Sequence, residues 1–380
     1  MPEMPAAADP RGPGELGFVF AGGGTGGHLY PAIAIADEIR KLRPEARIVF
    51  IGTRGRIEER VVPASGYPLK TIWISGFRRA FSFGTVLFPV KLVVALVQSF
   101  LLLRRIRPRV VVGTGGYVCG PVLYVASLLG IPTLIQEQNS YPGVTTRLLA
   151  PRVKEVHITF ESTRQHLRRA EGVILSGNPT RSSLGSVSRE EAARFFGIDG
   201  KNLTLLVFGG SQGSVAVNSG FLSSVAGVLA DGVQVLWQTG ERDFSRIASA
   251  PEVQAAVARR MVWVAPYIEK MEMAYAACDL VLCRAGATAL AELTRIGLPS
   301  VLVPLPTAAA DHQTVNAQTM VKVGGAVMVR EQDMKEYLLP TLHELLAQPA
   351  KLQSMGQSAA SIGMPDAAIR LAAAVLALAE

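Results

Sequence analysis

Short apolar runs alternate with stretches of helical periodicity along most of the chain, the pattern of βα units that feed a parallel sheet. Leu16–Ala21 reads as a strand, followed by the loop GGGTGGH and a helix from about Pro31 to Leu42, with proline at its start as helices favour. Arg47–Ile51, Val110–Val112 and Pro132–Ile135 read as further strands, and a short one at Glu155–Thr159 precedes the turn Gly177-Asn178-Pro179. The pattern then restarts. Arg189–Phe196 is helical, and Leu203–Phe208 is a strand that feeds Gly209–Gly213 and a new helix. Val233–Gln238, Met261–Val264, Asp279–Leu282 and Pro299–Val303 follow as strands, and Ala367–Ala379 is a strongly apolar helix. Each half opens with strand, glycine loop, helix. The expected fold class is therefore α/β, with two Rossmann-like domains facing across a cleft. The expected divisions are an N-terminal extension at 1–15, a first domain at 16–176, a second at 177–364, and a C-terminal helix at 365–380 that packs back on the first domain.

The chain's 380 residues fit two domains, and 49% apolar against 18% charged residues excludes a disordered protein. Three cysteines, Cys119, Cys278 and Cys283, are too few and too odd in number for a disulfide framework and suit a reducing compartment. The N-terminal MPEMPAAADPRGPGELG lacks the apolar core of a secretory signal. The net charge of +8 is localised. Between Arg60 and Gln136 there is no acid and nine basic residues, which leaves the rest of the chain nearly neutral. That segment is also apolar, with Phe77, Phe81, Phe83, Leu87, Phe88 and the uncharged run Leu92–Leu103. The run is too short for a bilayer span, which needs about 20 residues. Two readings stand together, because one helix has two faces. One is a buried crossover helix with Arg104 and Arg105 at its negative C-terminal end. The other is a surface on anionic lipid, where Arg78, Arg79, Lys91, Arg104 and Arg105 meet headgroups. No nucleic-acid module accompanies the charge, so nucleic acid is not an expected partner.

Gly22, Gly24 and Gly27 fit G-x-G-x-x-G between a strand and a helix. Free N–H groups and the helix dipole at such a loop favour an anion; a tight structural turn is the alternative. An NAD site requires an acid at the end of the second strand, yet that strand ends Ile51-Gly-Thr-Arg54, which leaves an opening only for NADP. A P-loop is excluded by the missing Lys-Ser/Thr. The number of such turns carries more weight: 22–27, 113–116, 209–213 and 285–287 each follow an apolar run. Loops at facing strand ends suit a ligand with a pyrophosphate between two organic groups, such as a nucleotide sugar. His28 stands at a helix N-terminus, where a neutral ring able to accept a proton is favoured; a helix-capping histidine is the plainer reading. Ser211 and Gln212 bring donors for phosphate oxygens, and Arg181 offers a planar fork. Glu292 is either a ribose acceptor or a surface charge. Gln313 and Asn316, one helical turn apart, are candidates to face the ligand together.

In order along the chain, GGGTGGHLYPAIAIADEI, GTGGYVCGP, EQNSYPG, GNPTR, GGSQGS, CRAGATALAE and ADHQTVNA resemble the bacterial UDP-N-acetylglucosamine:undecaprenyl-pyrophosphoryl-muramyl-pentapeptide N-acetylglucosaminyltransferases, from about Gly17 to the C-terminus. The resemblance implies a GT-B architecture. It implies that the C-terminal half binds UDP-N-acetylglucosamine and that the N-terminal half meets the lipid-linked muramyl-pentapeptide acceptor at the cytoplasmic face of the inner membrane, as a peripheral protein. It implies attack by the acceptor's 4-hydroxyl on the anomeric carbon, inversion to a β linkage, and departure of UDP. The family's donor contacts fall on Thr25, Gly26, Gly27, Asn139, Arg181, Ser211, Ile268, Ala287, Thr288, Ala289, Leu290, Ala291, Glu292 and Gln313. His28 takes the place of the general base and Glu292 that of the ribose ligand. No Asp-x-Asp metal motif accompanies these loops, so no metal cofactor is expected. Ala309-Ala310-Asp311 and Cys283 depart from the family pattern, and the first fifteen residues have no counterpart in it. A UDP-N-acetylglucosamine 2-epimerase on the same fold and a non-catalytic sugar-nucleotide sensor are the competing readings.

Overall fold

The computed structural model describes residues 16–76, 87–169 and 171–380. The N-terminal extension, Phe77, Arg78, Arg79, Phe81 and Phe83 lie outside the described residues. Among the described residues, thirteen strands form two sheets. The first contains β1 (Gly17–Ala21), β2 (Arg47–Gly52), β3 (Leu69–Thr71), β4 (Val110–Gly113), β5 (Thr133–Glu137), β6 (Glu155–Ile158) and β7 (Val173–Leu175), in the order β3-β2-β1-β4-β5-β6-β7. The second contains β8 (Thr204–Phe208), β9 (Gln234–Gln238), β10 (Val262–Ala265), β11 (Leu280–Cys283), β12 (Ser300–Leu302) and β13 (Ala326–Met328), in the order β10-β9-β8-β11-β12-β13. Every neighbouring pair is parallel.

The central strands are buried on both faces, which is why GFVFA and TLLVF are apolar without alternation. Helices cover both faces and close two cores per sheet. In each sheet the strand order reverses beside the first strand, between β1 and β4 and between β8 and β11. Such a reversal parts the loops at the carboxyl ends and opens a crevice. The structure lengthens the first expected helix: it runs Gly26–Leu42, with Pro31 inside it and His28 in its first turn.

The helix Ala367–Ala377 returns from the second domain to the first. It packs along the helix Gly26–Leu42, with Leu371, Ala372 and Val375 buried beside Phe18, Phe20 and Ile35. The chain thus crosses between the sheets twice, and Arg295 ties the crossings together. Its Nη1 donates to Thr180 Oγ1 at 3.0 Å and to the Pro365 carbonyl at 2.8 Å. Leu371 is wholly buried in the first domain's core. Leu371→Ala should therefore lower stability by about 2–5 kcal/mol in urea unfolding, mainly through the first domain.

Candidate functional site

A cleft of about 1220 Å³ lies where the carboxyl edges of the two sheets face each other, and both domains line it. On the first domain its wall starts from the loop after β1. Glu58, fully buried, accepts from Gly24 N–H at 3.0 Å, Thr53 N–H at 3.0 Å and Thr53 Oγ1 at 2.8 Å. A side chain at Gly22 or Gly23 would collide with Thr114 or with that carboxylate. The first three glycines therefore answer to packing beneath the loop, the structural-turn alternative, while Thr25, Gly26 and Gly27 reach the cleft.

His28 is held on several sides. Its carbonyl accepts from Thr114 Oγ1 at 2.7 Å, and its Nδ1 lies 2.9 Å from Gln138 Oε1. Gly115, at φ +105°, passes so close that a Cβ there would lie 2.5 Å from Nδ1, so this turn needs glycine for both conformation and space. Beneath it the Cys119 thiol donates to the Ala21 and Gly115 carbonyls at 2.7 and 2.9 Å. Burial pushes that thiol up to about 12, so at neutral pH it stays protonated and remains a donor. Further along the wall, buried Glu137 gathers Asn139 N–H, Asn139 Nδ2, Gly143 N–H and Thr146 Oγ1 at 2.6–3.2 Å, which orients the Asn139 amide.

On the second domain, the loop after β8 and the N-termini of the helices Val215–Leu222 and Ala287–Ile296 form the opposite wall. Gln238 clasps this loop, donating to the Gly210 carbonyl at 2.9 Å and accepting from Ile268 N–H at 2.9 Å. Arg284 braces it from below, to Ser214 Oγ at 3.0 Å, to the Val303 and Pro304 carbonyls, and to Glu331 at 2.5 Å. Glu292, one turn into its helix and 7% exposed, accepts from Tyr275 Oη at 2.8 Å. Burial raises its carboxyl above the usual range, while Arg181 and the Tyr275 hydroxyl pull it part of the way back. Arg181 stands 3.8 Å from Glu292 and 3.9 Å from Glu272, 5.0 Å from the Tyr30 ring centroid. Its Nε is buried with no protein partner among the described residues. Besides Arg181 against the Tyr30 ring, contacts across the cleft include Tyr30 Oη to Tyr267 Oη at 2.5 Å, Thr288 Oγ1 to the Gly27 carbonyl at 3.3 Å, and Arg60 paired with Glu269.

Thr25, Gly26, Gly27, His28, Asn139, Arg181, Ser211, Gln212, Ile268, Ala287, Thr288, Ala289, Glu292 and Gln313 all line this cleft. Leu290 and Ala291 do not: the 3.6-residue period turns 288, 289 and 292 toward it and sends Leu290 into the core. Asn316 is also corrected. It is fully buried and donates to the Ala285 carbonyl at 3.1 Å, so it braces the loop beneath while Gln313 faces the cleft. Sequence reasoning missed Gln138, Tyr30, Tyr267, Glu58, Gln238 and Arg284. For Gln138 and Gln238 a signal existed, a polar residue at or just past the carboxyl end of an apolar strand.

Lys91, Arg104 and Arg105 are not among the residues that line the cleft; they lie on the helix Phe88–Ile106. Ala95, Ser99 and Leu103 face the core, while Val90, Val93, Val97 and Leu101 form a stripe on the opposite side, Val93 and Leu101 each 60% exposed. Arg104 and Arg105 are exposed in the last turn, and Lys91 Nζ lies 5.6 Å from the ring centroid of half-exposed Trp73. This helix packs on the helix Cys119–Leu128, which packs on Val144–Leu149; these add exposed Leu128, Val144 and Leu148. No helix among the described residues is long and apolar enough to cross a membrane.

Residues 18–158 match the glycosyltransferase family 28 N-terminal domain, and residues 204–371 match the glycosyltransferase family 28 C-terminal domain. A Chlorobium limicola protein named UDP-N-acetylglucosamine--N-acetylmuramyl-(pentapeptide) pyrophosphoryl-undecaprenol N-acetylglucosamine transferase is 43% identical over 374 residues, 96% of this chain and 100% of its own. The crystal structure of Acinetobacter baumannii MurG superposes with a TM-score of 0.71 at 27% identity, covering 96% of this chain and 99% of that one. UDP-GlcNAc 2-epimerase from Neisseria meningitidis, bound to UDP-GlcNAc, gives a TM-score of 0.67 at 12% identity, covering 96% and 100%, a likeness of fold alone.

Proposed function

The chain belongs to glycosyltransferase family 28, and we propose that it moves N-acetylglucosamine from UDP-N-acetylglucosamine to the 4-hydroxyl of the muramic acid of undecaprenyl-pyrophosphoryl-N-acetylmuramoyl-pentapeptide, forming a β-1,4 linkage with inversion. The observation that carries this reading is that His28 of one domain and Arg181, Ser211 and Glu292 of the other open into one cleft. Glu292 is the acceptor for a ribose diol. Arg181, with its unpartnered Nε and loosely held carboxylates, takes the diphosphate together with Ser211, Gln212 and the start of the helix Ala287–Ile296. His28 Nε2 takes the proton of the 4-hydroxyl as its oxygen bonds to the anomeric carbon. The bond from that carbon to the phosphate oxygen breaks, and the electron pair leaves on UDP, where fixed donors stabilise it. The protein sits peripherally on the cytoplasmic face of the inner membrane. There the helix Phe88–Ile106 and its neighbours dip apolar side chains among anionic headgroups that meet Lys91, Arg104 and Arg105.

Radiolabelled UDP-N-acetylglucosamine with the lipid-linked acceptor should give the disaccharide product, and His28→Ala should lower kcat by about 10²–10⁴-fold with little change in donor affinity. Binding without transfer would indicate a sensor, and UDP-N-acetylmannosamine formed from donor alone would indicate an epimerase. Glu292→Gln, which keeps the side chain's shape, should weaken UDP binding in calorimetry by about 1–3 kcal/mol. Equal affinity would mean that the carboxylate serves only Tyr275 and Arg181. Val93→Asp with Leu101→Asp, and separately Arg104→Gln with Arg105→Gln, should each release the protein from anionic vesicles in flotation; retention of both would make this face a solvated one.

A further inference from the structure

We infer that Gln138 is a positioning residue that holds the proton of neutral His28 on Nδ1 and thereby keeps Nε2 free as the base. The inference rests on the reading of His28 as the base and adds to it the group that selects the reactive nitrogen.

The geometry leaves one assignment. Gln138 is 2% exposed, just past the end of β5. Its amide Nε2 faces three oxygens: the Thr114 carbonyl at 2.6 Å, the Gln136 carbonyl at 3.1 Å, and Gln136 Oε1. Gln136 Oε1 is itself oriented, because the Gln136 amide nitrogen points to Thr159 Oγ1 and the Gly177 carbonyl at 3.3 and 3.4 Å. Turning the Gln138 amide over would set its oxygen against three oxygens with no hydrogen to share. So it is Oε1 that meets His28 Nδ1, at 2.9 Å. A carbonyl oxygen cannot donate, so Nδ1 carries the hydrogen. A neutral imidazole has only one, and Nε2 is left with its lone pair. Nε2 has no protein partner among the described residues, while Gly115 closes over the Nδ1 edge.

In other histidine bases a carboxylate commonly does this work. Here an amide suits the site better. The cleft is shaped for a diphosphate, and a carboxylate behind His28 would place a further negative charge against the departing UDP. The amide orients the ring without that charge. When the ring takes the acceptor's proton, the bond from Nδ1–H to Oε1 becomes charge-assisted and shortens, which steadies the imidazolium through the step.

The test reads the tautomer directly. Long-range 1H–15N correlation on protein labelled at its five histidines, with His28→Gln to assign the resonance, should show a protonated Nδ1 and an unprotonated Nε2 on His28 in the full-length enzyme near neutral pH. Gln138→Met, which keeps the length and removes the acceptor, should populate the other tautomer. It should also lower kcat by on the order of 10–100-fold, with the KM for each substrate within about 2-fold. A wild-type proton on Nε2 overturns the inference, as does a Gln138→Met enzyme with wild-type tautomer and kcat. Should Gln138→Met fail to fold, the wild-type spectrum decides alone. Loss of the base reading has a different signature: His28→Gln would turn over normally, whatever the spectrum shows.

Discussion

The opposition of the two carboxyl edges is the constraint on which the site depends. A helix that follows a parallel strand begins at the strand's carboxyl end, so its unpaired N–H groups and positive dipole end collect there. The helices Gly26–Leu42, Val215–Leu222 and Ala287–Ile296 all begin at the gap. That arrangement lasts only while the sheets stay face to face. Arg295 holds both chain crossings, Leu371 and Val375 anchor the return helix in the first domain, and Tyr30 meets Tyr267 across the opening. These contacts at the hinge and rim are few and polar apart from the return helix. They suit an interface that opens for a substrate better than a fixed core does.

Beneath each wall sit polar groups whose partners belong to the protein's own loops. Glu58 holds the loop after β1, Glu137 the loop after β5, Gln238 the loop after β8 and Arg284 the loop after β12. A loop rich in glycine has a large conformational entropy to lose on binding, and a buried carboxylate or guanidinium with several donors or acceptors removes that cost in advance. The consequence reaches the chemistry. With Gly24 N–H committed to Glu58, the first loop offers its later residues, and His28 with them, to the cleft.

The long apolar strands and both glycine loops were legible because parallel strands buried on two faces need unbroken apolar runs. Of the three-residue strands, β12 was read from the longer run Pro299–Val303, while β3, β7 and β13 were not. LKT, VIL and AVM are too short to show any period, and they form where a neighbouring strand offers an unpaired edge. At the site, residues in the loops themselves, Thr25 to His28, Ser211 and Gln212, could be read from local pattern. Asn316 could not be told from Gln313, since residues three apart on a helix share a face in the sequence but can part between ligand and core in space. The bracing groups were least visible of all. Glu58 lies 34 residues from the glycine it holds, and an acid beside Glu59 at the start of a helix reads as surface charge.

The acid-free segment also makes better sense in the fold than along the chain. The helix Phe88–Ile106 bears out the buried crossover reading on one face, which carries Ala95, Ser99 and Leu103 into the core, while the other leaves Val90, Val93, Val97 and Leu101 outside as the face proposed to meet lipid. Its neighbours on the same layer, Cys119–Leu128 and Val144–Leu149, are reached through the loops that hold His28 and Asn139. On the proposed function, a substrate with a sugar at one end and a lipid at the other would meet connected parts of one surface. Its hydroxyl would lie by the loops, and its chain would run over the helices those loops begin. Acidic side chains on that path would repel both the pyrophosphate and the headgroups. Glu58 and Glu137, beneath the loops of the first domain, are instead turned inward and taken up by backbone and side-chain donors of those loops.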